Sequence, residues 1–335
     1  MDNRCQQGSV LASFDVAKFC AAILVVAIHT HPFHGGVDYW FTCICRLAVP
    51  FFFASSSFFF WRNPNHSIKK YIKRIMGLYS VWFVLELPFV LRRFFLSSDL
   101  PVFKRVFNFF IHFLLGNTFY VSWYLMASVI AMGIVYGLSK KLSTGWILLF
   151  SGCFYVVCLL SSSYYYLTTA FPHRWIQFLV SNGINLENSF FAALIFVVIG
   201  KIVAENVSVL SAIRLDRVCL CLLCVAILSI LEIGFMANYV RYSDAFVSLP
   251  LIISVILVFL LNIHITIPVE LSRSFRNISI LVYLLHSVIQ VKALPVLGMS
   301  FHGKKAFIVV VVLSIIASFL IIRLSEKFRV FKLLY

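Results

Sequence analysis

Apolar stretches of membrane-crossing length recur along the whole chain, and the charged residues collect in the short polar segments between them. About 20 apolar residues in a helix cross the hydrocarbon core of a bilayer. Runs of that kind fall at about Phe14–Phe33, Tyr39–Trp61, Met76–Leu91, Tyr120–Leu138 and Trp146–Leu167, then at Ser189–Val203, Val218–Ala237, Phe246–Ile263, Ile278–Leu294 and Ala306–Ile322. The runs are continuous. Barrel strands would alternate polar with apolar residues, so helices are predicted. The expected fold is all-α, a polytopic transmembrane helix bundle of about ten spans. The shorter runs, Ser189–Val203 above all, need tilt or buried neighbours. No internal repeat stands out, nor any inverted pair of broken helices of the kind many transporters carry.

Composition sharpens this picture. Apolar residues make up 62% of the 335 residues and charged residues 12%, against about 45–50% and about 25% in a globular domain. So few charges cannot cover a water-facing surface. A single membrane domain over residues 1–335, with no soluble domain, is expected. The first run carries Asp15 and Lys18 and lacks a small-residue cleavage site, so it reads as an uncleaved span and not a signal peptide.

The net charge of +16 does not point to nucleic acid, because the basic residues form no single stripe. They follow the positive-inside rule. The loop after the second run carries Arg62, Lys69, Lys70, Lys73 and Arg74. Ten spans place Lys140, Lys141, Lys201, Arg214, Arg217, Arg273, Arg276 and the basic tail on that same side, with both termini cytoplasmic. The opposite side holds fewer, such as Arg174, Arg241, Lys304 and Lys305. Arg92, Arg93, Lys104 and Arg105 run against the rule. Phe103–Leu115 mixes basic with aromatic residues and suits an amphipathic helix in the membrane interface. Of the nine cysteines, Cys219, Cys221 and Cys224 cluster in an apolar run without His or carboxylate company. They read as small packing residues, and no metal site is expected.

Ionisable residues inside spans are costly, which makes them functional candidates. Lys18 and His29 lie eleven residues apart on nearly the same helix face, separated by about 16 Å at ~1.5 Å per residue. Asp15 shares that face one turn earlier. Lys18 is either a snorkelling anchor at the cytoplasmic interface or part of a site; His29, expected near mid-bilayer, is either a packing contact or a reactive group. Arg46 enters the second span roughly 10 Å below its outer end. It could meet His29 and hold an anion or a polarised carbonyl, or pair with Glu86. Tyr283, His286 and Gln290 recur at i, i+3 and i+7 on one face of a later span. A second intramembrane His suggests a polar cavity, and His suits proton transfer near neutral pH.

These blocks together resemble the acyltransferase-3 family of bacterial membrane acyltransferases. FDVAKFCAAILVVAIHTHPF (14–33) is similar to the family's first span, with Lys18 and His29 at the spacing of its basic residue and His. RLAVPFFFASSSFFFW (46–61) resembles the second span, and KRIMGLYSVW (73–82) the entry to the third. Trp123-Tyr124-Leu125, FFAALIFVVIGK (190–201) and YLLH (283–286) resemble later motifs in the expected order. The chain looks closest to standalone O-acetyltransferases of enterobacterial surface polysaccharides. It is also similar to the membrane domain of vancomycin-resistance serine racemases. Three positions depart from the pattern. Lys18 replaces the usual Arg, Ser57 stands where Gly is expected and so should loosen close packing, and Ser122 precedes Trp123 where His is frequent.

The resemblance implies a multi-pass protein of the bacterial inner membrane that moves an acetyl or similar group from cytoplasmic acetyl-CoA to a sugar hydroxyl. The acceptor would be a surface glycan or its lipid-linked precursor, and a homo-oligomer is compatible with this. In that reading His29 is the general base or a transient acyl carrier, and Arg46 stabilises the oxyanion. Lys18, Lys73 and Arg74 hold the CoA phosphates. Asp15, Trp123, Tyr283 and His286 line the substrate cavity. A transporter using the same polar cavity without chemistry is the alternative.

Overall fold

In this computed structural model the described residues are 3–96, 101–114, 118–119, 121–168, 174, 186–240 and 245–335, without the side chains of 3–11 and 114. Tyr120 and Arg241 lie outside them. All regular structure among the described residues is helical, as the continuous apolar runs require. In chain order the helices are α1 (Asn3–Thr30), α2 (Gly35–Cys45), α3 (Ala48–Arg62), α4 (Ile68–Leu85), α5 (Leu87–Leu91), α6 (Val102–Leu114) and α7 (Trp123–Leu138). They continue as α8 (Thr144–Ser161), α9 (Phe190–Glu205), α10 (Leu215–Met236), α11 (Leu249–Asn262), α12 (Val269–Val296) and α13 (Lys304–Lys327).

Six stretches among the described residues are long and apolar enough to cross a membrane, α2 and α3 together forming one of them. A seventh arises if α4 and Leu87–Leu96 make one span, bent by 71°. The break falls at buried Glu86, with Pro88 just beyond it. The third apolar run is therefore not the straight span its hydropathy suggests. α7 and α11 are apolar but shorter. α6 forms in the segment expected to be an interfacial helix, and it leaves Phe103, Phe107 and Phe110 exposed.

The centre of the bundle is α9, which packs against α3, α7, α8 and α11. Every residue from Ala192 to Lys201 is buried. A helix apolar on all sides belongs inside a bundle, which explains how a 16-residue element finds its place here. Buried Lys201, at the end of α9, is held by Glu205 at 2.5 Å and Thr144 at 2.7 Å. Its ammonium also lies over the ring of Trp61.

α9 and α3 cross in near backbone contact. A Cβ on Gly200 would stand 2.1 Å from the Ala54 carbonyl oxygen and 2.7 Å from Ser57 Cβ. The Ser57 hydroxyl donates to the Val197 carbonyl at 2.6 Å. Ser57 therefore does not loosen the packing. The small residue that permits the approach comes from the facing helix, and the serine adds a bond across it. Helix pairs in lipid are held by such close packing and interhelical hydrogen bonds.

α10 turns most of its surface outward, and Cys219, Cys221 and Cys224 are exposed on it. They are not packing residues of the bundle interior, because an apolar run cannot tell lipid from protein as its neighbour. The carboxylate of Glu232 in the same helix caps α11. It accepts from the backbone N–H groups of Val247 (2.5 Å) and Ser248 (2.9 Å), and from the hydroxyls of Ser248 and Tyr164. Backbone donors at the start of a helix need such acceptors where water is absent.

α1 and α12 pack side by side in parallel. Asp15 accepts from Ser272 at 2.8 Å, Phe19 meets Phe275, and the His29 carbonyl accepts from Gln290 at 2.7 Å. Contacts that advance together along both chains define the shared direction. Gly200→Ala should lower the thermal unfolding midpoint of purified protein in detergent, with a loss of about 1–3 kcal/mol from overpacking.

Candidate functional site

Two polar regions lie at opposite ends of the α1–α12 pair. The first is a cavity of about 390 Å³ enclosed by α1, α3, α4, α7 and α12. Lys18, Arg74 and Arg276 bring three cations to its wall, and Asp15 joins them. Asp15, Arg276 and Arg74 are all within electrostatic reach of Lys18. The Lys18 ammonium also sits 4.3 Å from the Phe59 ring centre. Lys73 is exposed and does not line the cavity. Successive helical residues point about 100° apart, so only one of the Lys73–Arg74 pair can face inward.

The second region is built by the end of α1. His31 adopts a left-handed conformation (φ 43°) just after the last helical residue, Thr30, and Pro32 follows. A left-handed residue and a nearby proline commonly close a helix. His29 therefore sits in the last turn of α1. The end carbonyls of α1 find donors elsewhere in the chain. His29 O accepts from Gln290, which also donates to Phe301 O, and Thr30 O accepts from the Gly303 N–H at 2.8 Å.

These bonds bring the two histidines together. The rings of His29 and His286 lie 5.1 Å apart, centre to centre. Arg46 and His31 also lie within electrostatic reach of His29. His29 is an exposed residue, unlike its partner His286. Arg46 follows the eleven residues of α2, at the junction with α3. Glu86, its alternative partner on sequence grounds, instead has Lys292 as the charge within reach.

His286 is fully buried, with Nδ1 3.1 Å from the Val282 carbonyl. A carbonyl can only accept, so that nitrogen carries the proton. The lone pair is then on Nε2, which is buried and has no hydrogen-bond partner among the described residues. An unsatisfied buried acceptor in a native site calls for an explanation. Here it stands beside the His29 ring.

Tyr283 links the two regions. It lines the cavity, stacks edge-on against Tyr124 at 5.3 Å, and lies 6.1 Å from His286. Its hydroxyl donates to Val121 O. Trp123 packs on Phe53 and is not part of the cavity wall; its neighbour Tyr124 is. Tyr124 and Arg276 line the cavity without having been singled out in the sequence, and Asp38, outside the cavity, pairs with His31. Arg276 could have been found by its position seven residues, or about two turns, before Tyr283. Among the described residues no group of three His, Cys, Asp or Glu side chains could hold a metal.

Comparison with known proteins bears directly on this arrangement. The family described as the acyltransferase domain, acyltransferase-3, matches residues 11–323. The chain belongs to that family. The acyltransferase-3 match runs from within the first half of α1 to near the end of α13 and takes in both polar regions. Two curated relatives, each named amino-acid racemase and each from Enterococcus faecalis, are also similar. One is 28% identical over 95% of this chain and 47% of its own length. The other is 29% identical over 58% of this chain and 28% of its own. The chain thus spans about half the length, or less, of the curated relatives it matches. No solved structure matches.

Gln290→Ala would release both the His29 and the Phe301 carbonyls from their shared donor. An expected loss of about 1–3 kcal/mol, the cost of leaving buried groups unsatisfied, should appear as a lowered melting temperature in detergent.

Proposed function

We propose that this acyltransferase-3 protein is a multi-pass O-acyltransferase of the bacterial inner membrane, with ten spans and both termini cytoplasmic. It would move an acetyl or similar acyl group from cytoplasmic acyl-CoA to a hydroxyl of a surface polysaccharide or its lipid-linked precursor. The observation that carries this reading is the pairing of a cation-lined cavity and a histidine cluster at the two ends of one parallel helix pair. The parallel direction needs an odd number of crossings between α1 and α12, and ten spans supply seven.

Lys18 and Arg74 would hold the phosphates of CoA, with Lys73 at the entrance and Asp15 setting the position of Lys18. The thioester would extend past Tyr283 and Tyr124 towards His29. There His29 acts on the acyl carbonyl or the incoming hydroxyl, and Arg46 stabilises the developing oxyanion. Such stabilisation is worth several kcal/mol in a water-poor site. His286 backs His29, and Trp123 supports the aromatic wall through Phe53.

Purified protein in lipid, given labelled acetyl-CoA and candidate glycans, tests the reading. Because the curated relatives are named amino-acid racemases, free amino acids belong in the acceptor panel. His29→Ala should insert normally and lose at least about a hundredfold in transfer, the usual scale of an acid–base group. Lys18→Ala should chiefly raise the KM for acetyl-CoA. If the wild type consumes no CoA thioester with any acceptor, a transporter of an acyl group or glycolipid becomes the better account.

A further inference from the structure

The chain between α4 and α7 carries cations and aromatic rings that neither polar region uses, and α6 has two unlike faces. Arg105, Phe109 and His112, at i, i+4 and i+7, meet the helical turn Arg92–Leu96. Arg105 donates to the Phe95 carbonyl at 2.8 Å, and the rings of Phe109 and His112 lie 5.6 and 5.3 Å from Phe94. Phe103, Phe107 and Phe110 repeat that spacing on the opposite face, where they are 80%, 60% and 57% exposed. Three rings on one uncovered helix face suit hydrocarbon rather than water.

Cations frame this face. Arg92, Arg93 and Lys104 are exposed. The Arg105–Phe95 bond joins the segments that carry them, since Lys104 precedes the donor and Arg92 lies three residues before the acceptor. Between Leu87 and Leu114 the sequence sets Arg92, Arg93, Lys104 and Arg105 against a single acidic residue, Asp99, which lies outside the described residues.

This platform stands at the histidine end of the bundle. α4 brings Arg74 to the cavity wall and ends at Glu86, where Lys292, two residues past Gln290, is within electrostatic reach. The 71° bend there turns Leu87–Leu96 across the direction of α4. The far end of α6 leads back to the site. Phe113 packs on Tyr79, whose hydroxyl bonds Thr118, and the Val121 carbonyl accepts from Tyr283, one turn before His286.

We propose that Arg92–Leu96 and α6 form the docking site for the acceptor, a sugar carried on a polyprenyl diphosphate and presented from the bilayer. This rests on the acyl-transfer reading above. Guanidinium and ammonium groups take the two phosphates, Phe103, Phe107 and Phe110 lie along the isoprenoid chain, and the sugar extends towards His29. A leaflet phospholipid offers one phosphodiester charge, so a diphosphate meets the clustered cations with more charge on a similar footprint.

Binding tests the site apart from the chemistry. The protein in nanodiscs of neutral phosphatidylcholine should take up a long-chain polyprenyl diphosphate saturably, as read by native mass spectrometry. Arg92→Gln combined with Lys104→Gln should weaken that uptake at least about tenfold. Phe107→Ser combined with Phe110→Ser should weaken it as well, and both variants should keep the wild-type melting temperature because the changed side chains are exposed. Phosphatidylglycerol at equal concentration should not displace the diphosphate lipid. Unchanged uptake in the charge variant, or displacement by phosphatidylglycerol as effective as by the diphosphate lipid itself, would overturn the proposal and leave α6 as a general membrane anchor. In transfer assays the charge variant should lose acylation of a sugar linked to polyprenyl diphosphate and keep acylation of the same sugar free in solution; equal loss on both would also overturn it. Specific binding in a protein that consumes no acyl-CoA would instead sink the acyl-transfer reading while the lipid site stands.

Discussion

The end of α1 is the point on which the functional geometry depends. A helix leaves its last carbonyls without partners, and a bilayer offers no water to replace them. Gln290 and the Gly303 N–H take up the His29, Thr30 and His31 carbonyls. Gln290 lies on α12 one turn beyond His286, so a purely backbone requirement also sets the two imidazoles side by side. At the other end Ser272 holds Asp15, and the same helix pair is fixed there in register with the cation-lined cavity. Two polar contacts thus locate both regions relative to each other.

Around this pair the bundle is held by contact rather than by a hydrophobic drive, since lipid tails are as apolar as the side chains they meet. That is why Gly200, Ala54 and Ser57 matter more than the phenylalanines that surround them. Where backbones touch, dispersion and the Ser57–Val197 bond act at short range, whereas α10 turns its cysteines outward. The same reasoning explains the polar caps. Glu232 and Gln290 are costly in a membrane, and each repays that cost by satisfying backbone groups at a helix end.

The two polar regions stay distinct because aromatic side chains separate them. Tyr283 and Tyr124 pack edge to face between the cavity and His286. Membership of the acyltransferase-3 family points to acyl transfer as the kind of chemistry.

From the sequence alone, the helical class, the membrane setting and the family could be read, because they rest on run length, charge scarcity and ordered motifs. Periodicity also placed Asp15, Lys18 and His29 on one face of α1, and Tyr283, His286 and Gln290 on one face of α12. Which residues face one another was decided by tertiary structure. The bend at Glu86, the termination of α1 at Thr30 and the close crossing at Gly200 all depend on partners distant in the chain. Arg276, Tyr124 and Asp38 were overlooked for the same reason. A charge or a ring acquires meaning only from the helix packed against it, and hydropathy, which scores each residue against an average environment, carries no record of that neighbour.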